Sequence, residues 1–150
     1  MRGARHLLLS AALWLAGSSA AAVAAEFKSV GPGPAVMFDA PAQKSRKLYI
    51  APVGMPVEIV LVNGEWTRVR DAAGDLSWVE SRSLSTRRTL VVESGQISAR
   101  SSANDSAPVA FTAAKGVLLE LAEPISSAWI KVRHRDGETG YVKAAEVWGD

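Results

Sequence analysis

The 150-residue chain contains no cysteine. That removes disulfides, thiolate metal sites, cysteine nucleophiles and thiol redox chemistry together, so an exported product must hold itself together by packing. Histidine is nearly as scarce, with two in the chain. His6 lies in an N-terminal segment that reads as a removable signal, which leaves His134 as the one imidazole of the mature protein and predicts for it an exposed place in a turn. One imidazole with Asp136 nearby does not make a zinc site, which takes at least three protein ligands. No serine stands in a Gly-x-Ser-x-Gly elbow. Glu58 and Glu120 occupy equivalent places in a repeat, which marks outer strand positions rather than the facing carboxylates of a glycosidase. Gly31-Pro32-Gly33-Pro34 is stiffened by proline and reads as a linker, not a phosphate loop. No long amphipathic helix is written in the mature chain. The sequence therefore offers no catalytic residue, no metal site and no cofactor site, and the reading is that of a non-enzyme.

An excess of one charge is lacking as well. Arg2 and Arg5 precede an apolar run from Leu7 to Ala16, and the small-residue stretch GSSAAAVAAE follows. Ala22-Val23-Ala24 or Val23-Ala24-Ala25 suits signal cleavage, so residues 1–25 read as a signal peptide. The product is expected to be periplasmic and soluble, without a stable membrane anchor. Ser18 stands where lipoprotein processing requires cysteine, so lipidation is not expected. The full chain has 17 Lys+Arg against 15 Asp+Glu, and two of the arginines lie in the signal, so the mature chain is formally neutral. Nucleic acid is thereby disfavoured as a partner, because that binding draws on surplus Lys and Arg to displace counterions.

What is present is a repeat. GEWTRVRDAAGDLSWVE at 64–80 aligns without a gap with SAWIKVRHRDGETGYVK at 127–143. Trp66 matches Trp129, Arg68 matches Lys131, and Trp78 matches Tyr141. VEIVL at 57–61 reads as a strand, Asn63-Gly64 as a tight turn, WTRVR as an alternating strand, and Ser77-Trp78-Val79 as the next. SRSLS reads as a single helical turn. The second half repeats the plan with LLEL at 118–121, WIKVR at 129–133 and Tyr141-Val142. Stretches 37–50 and 98–111 each read as a small-residue loop leading into a strand. Short strands separated by frequent turns predict an all-β chain of two small barrels. Each half is near the size at which a lone core is marginal, so the halves are expected to brace each other.

The order of these motifs resembles the bacterial SH3-like domain twice over, GMPVEIV…WTRVRDAAGDLSWVE followed by SLSTRRTLVV most closely. The resemblance implies two tandem SH3-like barrels, at residues 26–86 and 87–150, after the signal peptide. It also implies binding in the cell envelope, to peptidoglycan or to a peptide of a partner protein. An accessory scaffold that docks on an envelope complex without touching the wall is the other reading. The family's Asn-Val-Arg-x-Gly-Pro loop survives only loosely as Ile97-Ser98-Ala99-Arg100-Ser101-Ser102, and Val36 to Pro41 stand in its place in the first half. The glycine before the aromatic is Gly140 in the second half and Ser77 in the first.

Strand alternation supplies the candidate site. With Thr67 and Val69 turned inward, Trp66 faces out beside Arg68, and Trp129 faces out beside Lys131. By the same alternation Trp78 and Tyr141 face out while Val79 and Val142 face in. An outward aromatic flanked by cations suits a stacking and charge-orienting contact with a peptide or glycan. Trp66, Arg68, Trp78, Trp129, Lys131 and Tyr141 are the ligand-binding candidates. The competing expectation is that the two tryptophans fill the interface between the halves.

Overall fold

The computed structural model describes residues 21–150, and the region around Leu7–Ala16 that carries the signal-peptide reading lies outside them. Fourteen strands are present among the described residues. The first seven are β1 (Phe27–Val30), β2 (Ala35–Phe38), β3 (Lys47–Ala51), β4 (Pro56–Asn63), β5 (Trp66–Arg70), β6 (Leu76–Glu80) and β7 (Leu84–Ser85). The second seven are β8 (Thr89–Val92), β9 (Gln96–Arg100), β10 (Val109–Ala114), β11 (Leu118–Leu121), β12 (Trp129–Arg133), β13 (Thr139–Lys143) and β14 (Val147–Trp148). They form two antiparallel sheets with the same internal order, β3-β2-β6-β5-β4-β1-β7 and β10-β9-β13-β12-β11-β8-β14. The repeat in the sequence is therefore a repeat in topology. Single 3-10 turns at Ser81–Ser83 and Ala144–Glu146 fall at matching places, the first where SRSLS predicts one.

Each sheet surrounds its own core. Val30, Met37, Val57, Val69 and Val79 pack in the first, and Leu90, Ile97, Leu119, Ile130, Val132 and Val142 in the second. Burial follows the period of two: along β5 only Thr67 and Val69 are buried, along β12 only Ile130 and Val132. The turns use glycine where the backbone demands it. Gly64 has φ +58° between β4 and β5, and Gly74 and Gly137 have φ +88° and +92° in the following turns, a region that other residues enter only at a cost.

Two expectations need correction. The starts of stretches 37–50 and 98–111 are strands, not loops, since Met37 and Phe38 belong to β2 and Ser98 to Arg100 to β9. The alternation is there in β9, with Ile97 and Ala99 buried between half-buried Ser98 and Arg100, but residues this small carry little apolar signal. The Gly31–Pro34 segment is no linker between domains. It joins β1 to β2 within the first sheet, and the buried Gly31 donates its N–H to the Ser83 carbonyl at 3.0 Å.

The two halves meet through backbone carbonyls and one aromatic pair. Ser29 Oγ donates to the Arg87 carbonyl and Thr89 Oγ1 to the Gly54 carbonyl, both at 2.7 Å. Phe27 and Trp148 stack edge to face at 5.1 Å between ring centres. The Arg88 guanidinium lies 5.6 Å over the Phe27 ring and donates from Nη2 to the Gly149 carbonyl. The bracing expected of two marginal halves is thus present, and the ring that supplies it is Trp148.

Candidate binding face

The outer faces of the two domains are built on the same frame. On β5 and β6, Arg68 lies directly opposite Trp78, and Trp66 opposite Glu80. On β12 and β13, Lys131 lies opposite Tyr141, and Trp129 opposite Lys143. All six predicted site residues are half-buried and lie on the outer side of their strands. Neither Trp66 nor Trp129 makes the contacts between the halves described above.

The frame is furnished differently in the two copies. In the first, β2 pairs with β6 through Phe38 and Trp78. The Phe38 ring meets Trp66 edge to face at 5.3 Å, and Phe38 itself is only 3% exposed. Trp66 is therefore engaged by its own domain. In the second, Arg100 takes the place of Phe38, opposite Tyr141. Its Nη1 donates to the Ala107 carbonyl at 3.2 Å rather than covering Trp129. The Lys143 ammonium stands 5.4 Å over the Trp129 ring and pairs with Asp105 at 2.6 Å. A notch of about 180 Å³ opens here, lined by Trp129, Lys143, Arg100, Asp105, Ser98 and Glu146 among others. That is less than a drug-sized pocket and suits one ring or one side chain.

Lys131 sits beside this notch without lining it. Its ammonium is 2.6 Å from Glu123 and 5.9 Å from the centre of the Tyr141 ring. The hydrogen bond that it donates to Glu123 holds the Lys131 ammonium charged to higher pH than usual. The structure thus keeps Lys131 with Tyr141 and Arg68 with Trp78, and brings Trp129 to a second set of partners. Sequence reasoning missed Lys143, Arg100, Asp105 and Phe38. The register of the β12–β13 hairpin points to Lys143, because Lys143 falls opposite Trp129. Asp105 reaches the site from the 101–108 loop, and no local pattern announces it.

The turn after each middle strand has also diverged. In the first domain Asp71 accepts from the Ala73 and Asp75 amides, both at 3.0 Å, and from the Tyr49 hydroxyl at 3.1 Å. In the second, His134 and Phe111 hold the corresponding places, with ring centres 5.7 Å apart. His134 is half-buried and its Nδ1 lies 3.0 Å from Asp136, so it is not the exposed turn residue that its neighbours in sequence suggest.

Burial, followed by the charge of Asp71, pushes the Tyr49 phenol up to about 12. A free phenol titrates near 10, so the folded state resists ionisation that the unfolded chain accepts. The stability this contributes is complete below pH ~10 and is lost as pH rises toward ~12. Urea unfolding of the wild type across that window is expected to show a steeper loss of stability than Tyr49→Phe, with the two converging at neutral pH except for the lost hydrogen bond.

A model of the bacterial SH3 domain matches residues 31–86 and again residues 93–149. The chain belongs to the bacterial SH3 domain family. The two matched segments correspond to the two sheets, so the family unit is written twice. No curated protein matches the chain. Among solved structures it is similar to NlpC1 from Trichomonas vaginalis, at 12% identity and TM-score 0.39, covering 89% of this chain and 49% of that one. NlpC2 from the same organism is matched at 13% identity and TM-score 0.38, covering 85% and 49%. The chain spans about half the length of these structures. Among the described residues of this tandem bacterial SH3 protein, no three His, Asp or Glu side chains gather as a metal site, and no helix is long and apolar enough to cross a membrane.

Proposed function

We propose that this protein is a non-enzymatic, exported binding module of the cell envelope that recognises peptidoglycan through the outer face of its second SH3 domain. The open notch beside Trp129 carries the reading. It joins an aromatic surface to a cation over its ring and to acceptors on Asp105 and Glu146. That combination suits a wall glycan or its peptide, where a ring stacks and polar groups set the orientation. The first domain presents the same frame with Phe38 against Trp66 and serves as the brace. Export to the periplasm belongs to this proposal, and is tested by fractionating cells and sequencing the N-terminus of the periplasmic form.

Co-sedimentation of residues 26–150 with isolated cell wall tests the binding. Trp129→Ala is expected to lower the bound fraction at least about tenfold in apparent affinity, the scale of a lost aromatic anchor. Trp66→Ala is expected to leave it within about twofold once a folded far-ultraviolet spectrum is verified. Equal loss in both variants, or in neither, contradicts the assignment.

A scaffold role is favoured by one separate observation. The edge strand β3 pairs only with β2 and exposes Leu48 at 41% and Ile50 at 70%, and such an edge can accept a partner's strand. Under that reading Ile50→Lys abolishes capture of an envelope protein while wall sedimentation is unchanged.

A further inference from the structure

A cleft of about 1320 Å³ lies between the two domains. It shares no lining residue with the Trp129 notch. Its charge arises from a change of partners between the two copies. In the first domain Glu58 faces Arg70 across β4 and β5 and pairs with it at 2.6 Å. In the second, Glu120 faces Arg133 at the matching register, but its carboxylate is bonded by Arg87, from the segment between the domains. Arg87 and then Arg133 hold the Glu120 carboxyl below its usual range. Arg133 is left exposed at the cleft, with no carboxylate within 4.0 Å among the described residues, and Arg135 is in the same state. The turn that carries Asp71 and Asp75 in the first copy carries His134, Arg135, Asp136 and Glu138 in the second, so Arg135 is an added cation that offsets one of its two carboxylates.

The cleft lining holds more arginines than carboxylates, in a chain whose residues 26–150 are formally neutral as a whole. Arg82, Arg87, Arg133 and Arg135 line it against Glu120 and Asp136; Arg82 pairs with Glu80 and Arg87 with Glu120, so among the described residues the unpaired cations here are Arg133 and Arg135. Its other walls mix apolar side chains and bare backbone, including Leu84, Leu118, Gly54 and Gly116, with the hydroxyl residues Ser29, Ser85, Thr86 and Thr89 and with His134, and no Trp, Tyr or Phe lines it. The one aromatic ring in the lining is the His134 imidazole, which is already packed against Phe111, so a sugar or a base finds no broad face to stack on. The volume exceeds the roughly 300–1,000 Å³ of small-molecule sites. Guanidiniums with open forks match carboxylates in pairs of hydrogen bonds.

We propose that the cleft between the domains binds an extended acidic segment of a partner protein, with Arg133 and Arg135 taking its carboxylates. Small apolar side chains of the segment lie against Leu84 and Leu118. This site is independent of the wall-binding reading, and either can fail without the other.

Fluorescence anisotropy with a labelled peptide of alternating alanine and glutamate, and with its glutamine counterpart, tests the proposal. The glutamate peptide is expected to bind, and the glutamine peptide to bind at least about tenfold more weakly. Arg133→Glu and Arg135→Glu are each expected to lower affinity by about tenfold or more, while Trp129→Ala and the surface variant Lys44→Glu leave it within about twofold. Equal weakening by Lys44→Glu would show diffuse charge attraction and overturn the site. Indifference to both arginine reversals, in protein that retains its wild-type unfolding midpoint, overturns it also. Tighter binding of purified wall stem peptides than of the glutamate peptide would overturn the assignment to a protein segment.

Discussion

Trp148→Ala is expected to destabilise the chain by about 3 kcal/mol and to split one unfolding transition into two. Trp148 is half-buried on β14, against Phe27 of β1 in the other domain. Removing a packed tryptophan costs about 3–5 kcal/mol in a full core, and this ring is at an interface rather than at a core centre. An aromatic pair adds about 0.5–1.5 kcal/mol beyond the area it buries. The loss does not stop with the ring. Arg88 packs over Phe27 and its Nη2 bonds the Gly149 carbonyl. Opening the interface exposes these groups and leaves two units each near the lower limit for independent folding. Urea unfolding followed by tryptophan fluorescence and by far-ultraviolet dichroism is the measurement. Coincident curves in the wild type and separated curves in the variant are expected. A variant that unfolds in one transition at the wild-type midpoint would mean that the domains do not brace each other.

Gly140→Ala carries the second large effect. A Cβ at this position would stand 2.9 Å from the Ala99 Cβ and 3.1 Å from the Arg100 carbonyl oxygen. Both neighbours belong to β9, which pairs with β13, so room can be made only by parting two strands of the sheet. Overpacking of this kind costs about 1–3 kcal/mol, and its place beneath Tyr141 and Arg100 puts the expected value near the top of that range, about 2–3 kcal/mol. Because the nearest atom is a single methyl carbon, Ala99→Gly in the same chain is expected to return about half of the loss. That coupling, read from a double-mutant cycle, is the specific signature. The first domain holds Ser77 at the same place, buried at 4% exposure. The residue before the aromatic is thus set by the strand that lies over it in each copy, and the family's glycine is kept only where β9 comes close.

How much of this could be read from the sequence follows from what is local. The strands Trp66–Arg70 and Trp129–Arg133, their inward valines and the turns at Gly74 and Gly137 were legible, because alternation and turn chemistry act over a few residues. The outward aspect of Trp66, Trp78, Trp129 and Tyr141 came from the same period of two. What separates the copies was hidden. Phe38 against Trp66, and Asp105 on Lys143, join residues from distant strands and loops, and no periodicity records them. The pairing of Phe27 with Trp148 joins the two ends of the described chain. A terminal tryptophan after a short helical turn gave no sign of whether it faced solvent, its own core or the other domain. The move of Glu120 from Arg133 to Arg87 was equally silent, since the repeat predicts the pair seen between Glu58 and Arg70.

The two copies share a frame, and under the proposed function only Trp129 of the second meets the ligand, beside the Lys143 ammonium. Fluorine NMR of protein labelled with 5-fluorotryptophan, its resonances assigned by single substitutions and titrated with soluble wall fragments, reads each indole separately. The account predicts that the Trp129 resonance shifts and saturates while those of Trp66 and Trp148 stay in place. A saturating shift of Trp66 with Trp129 unmoved would contradict it.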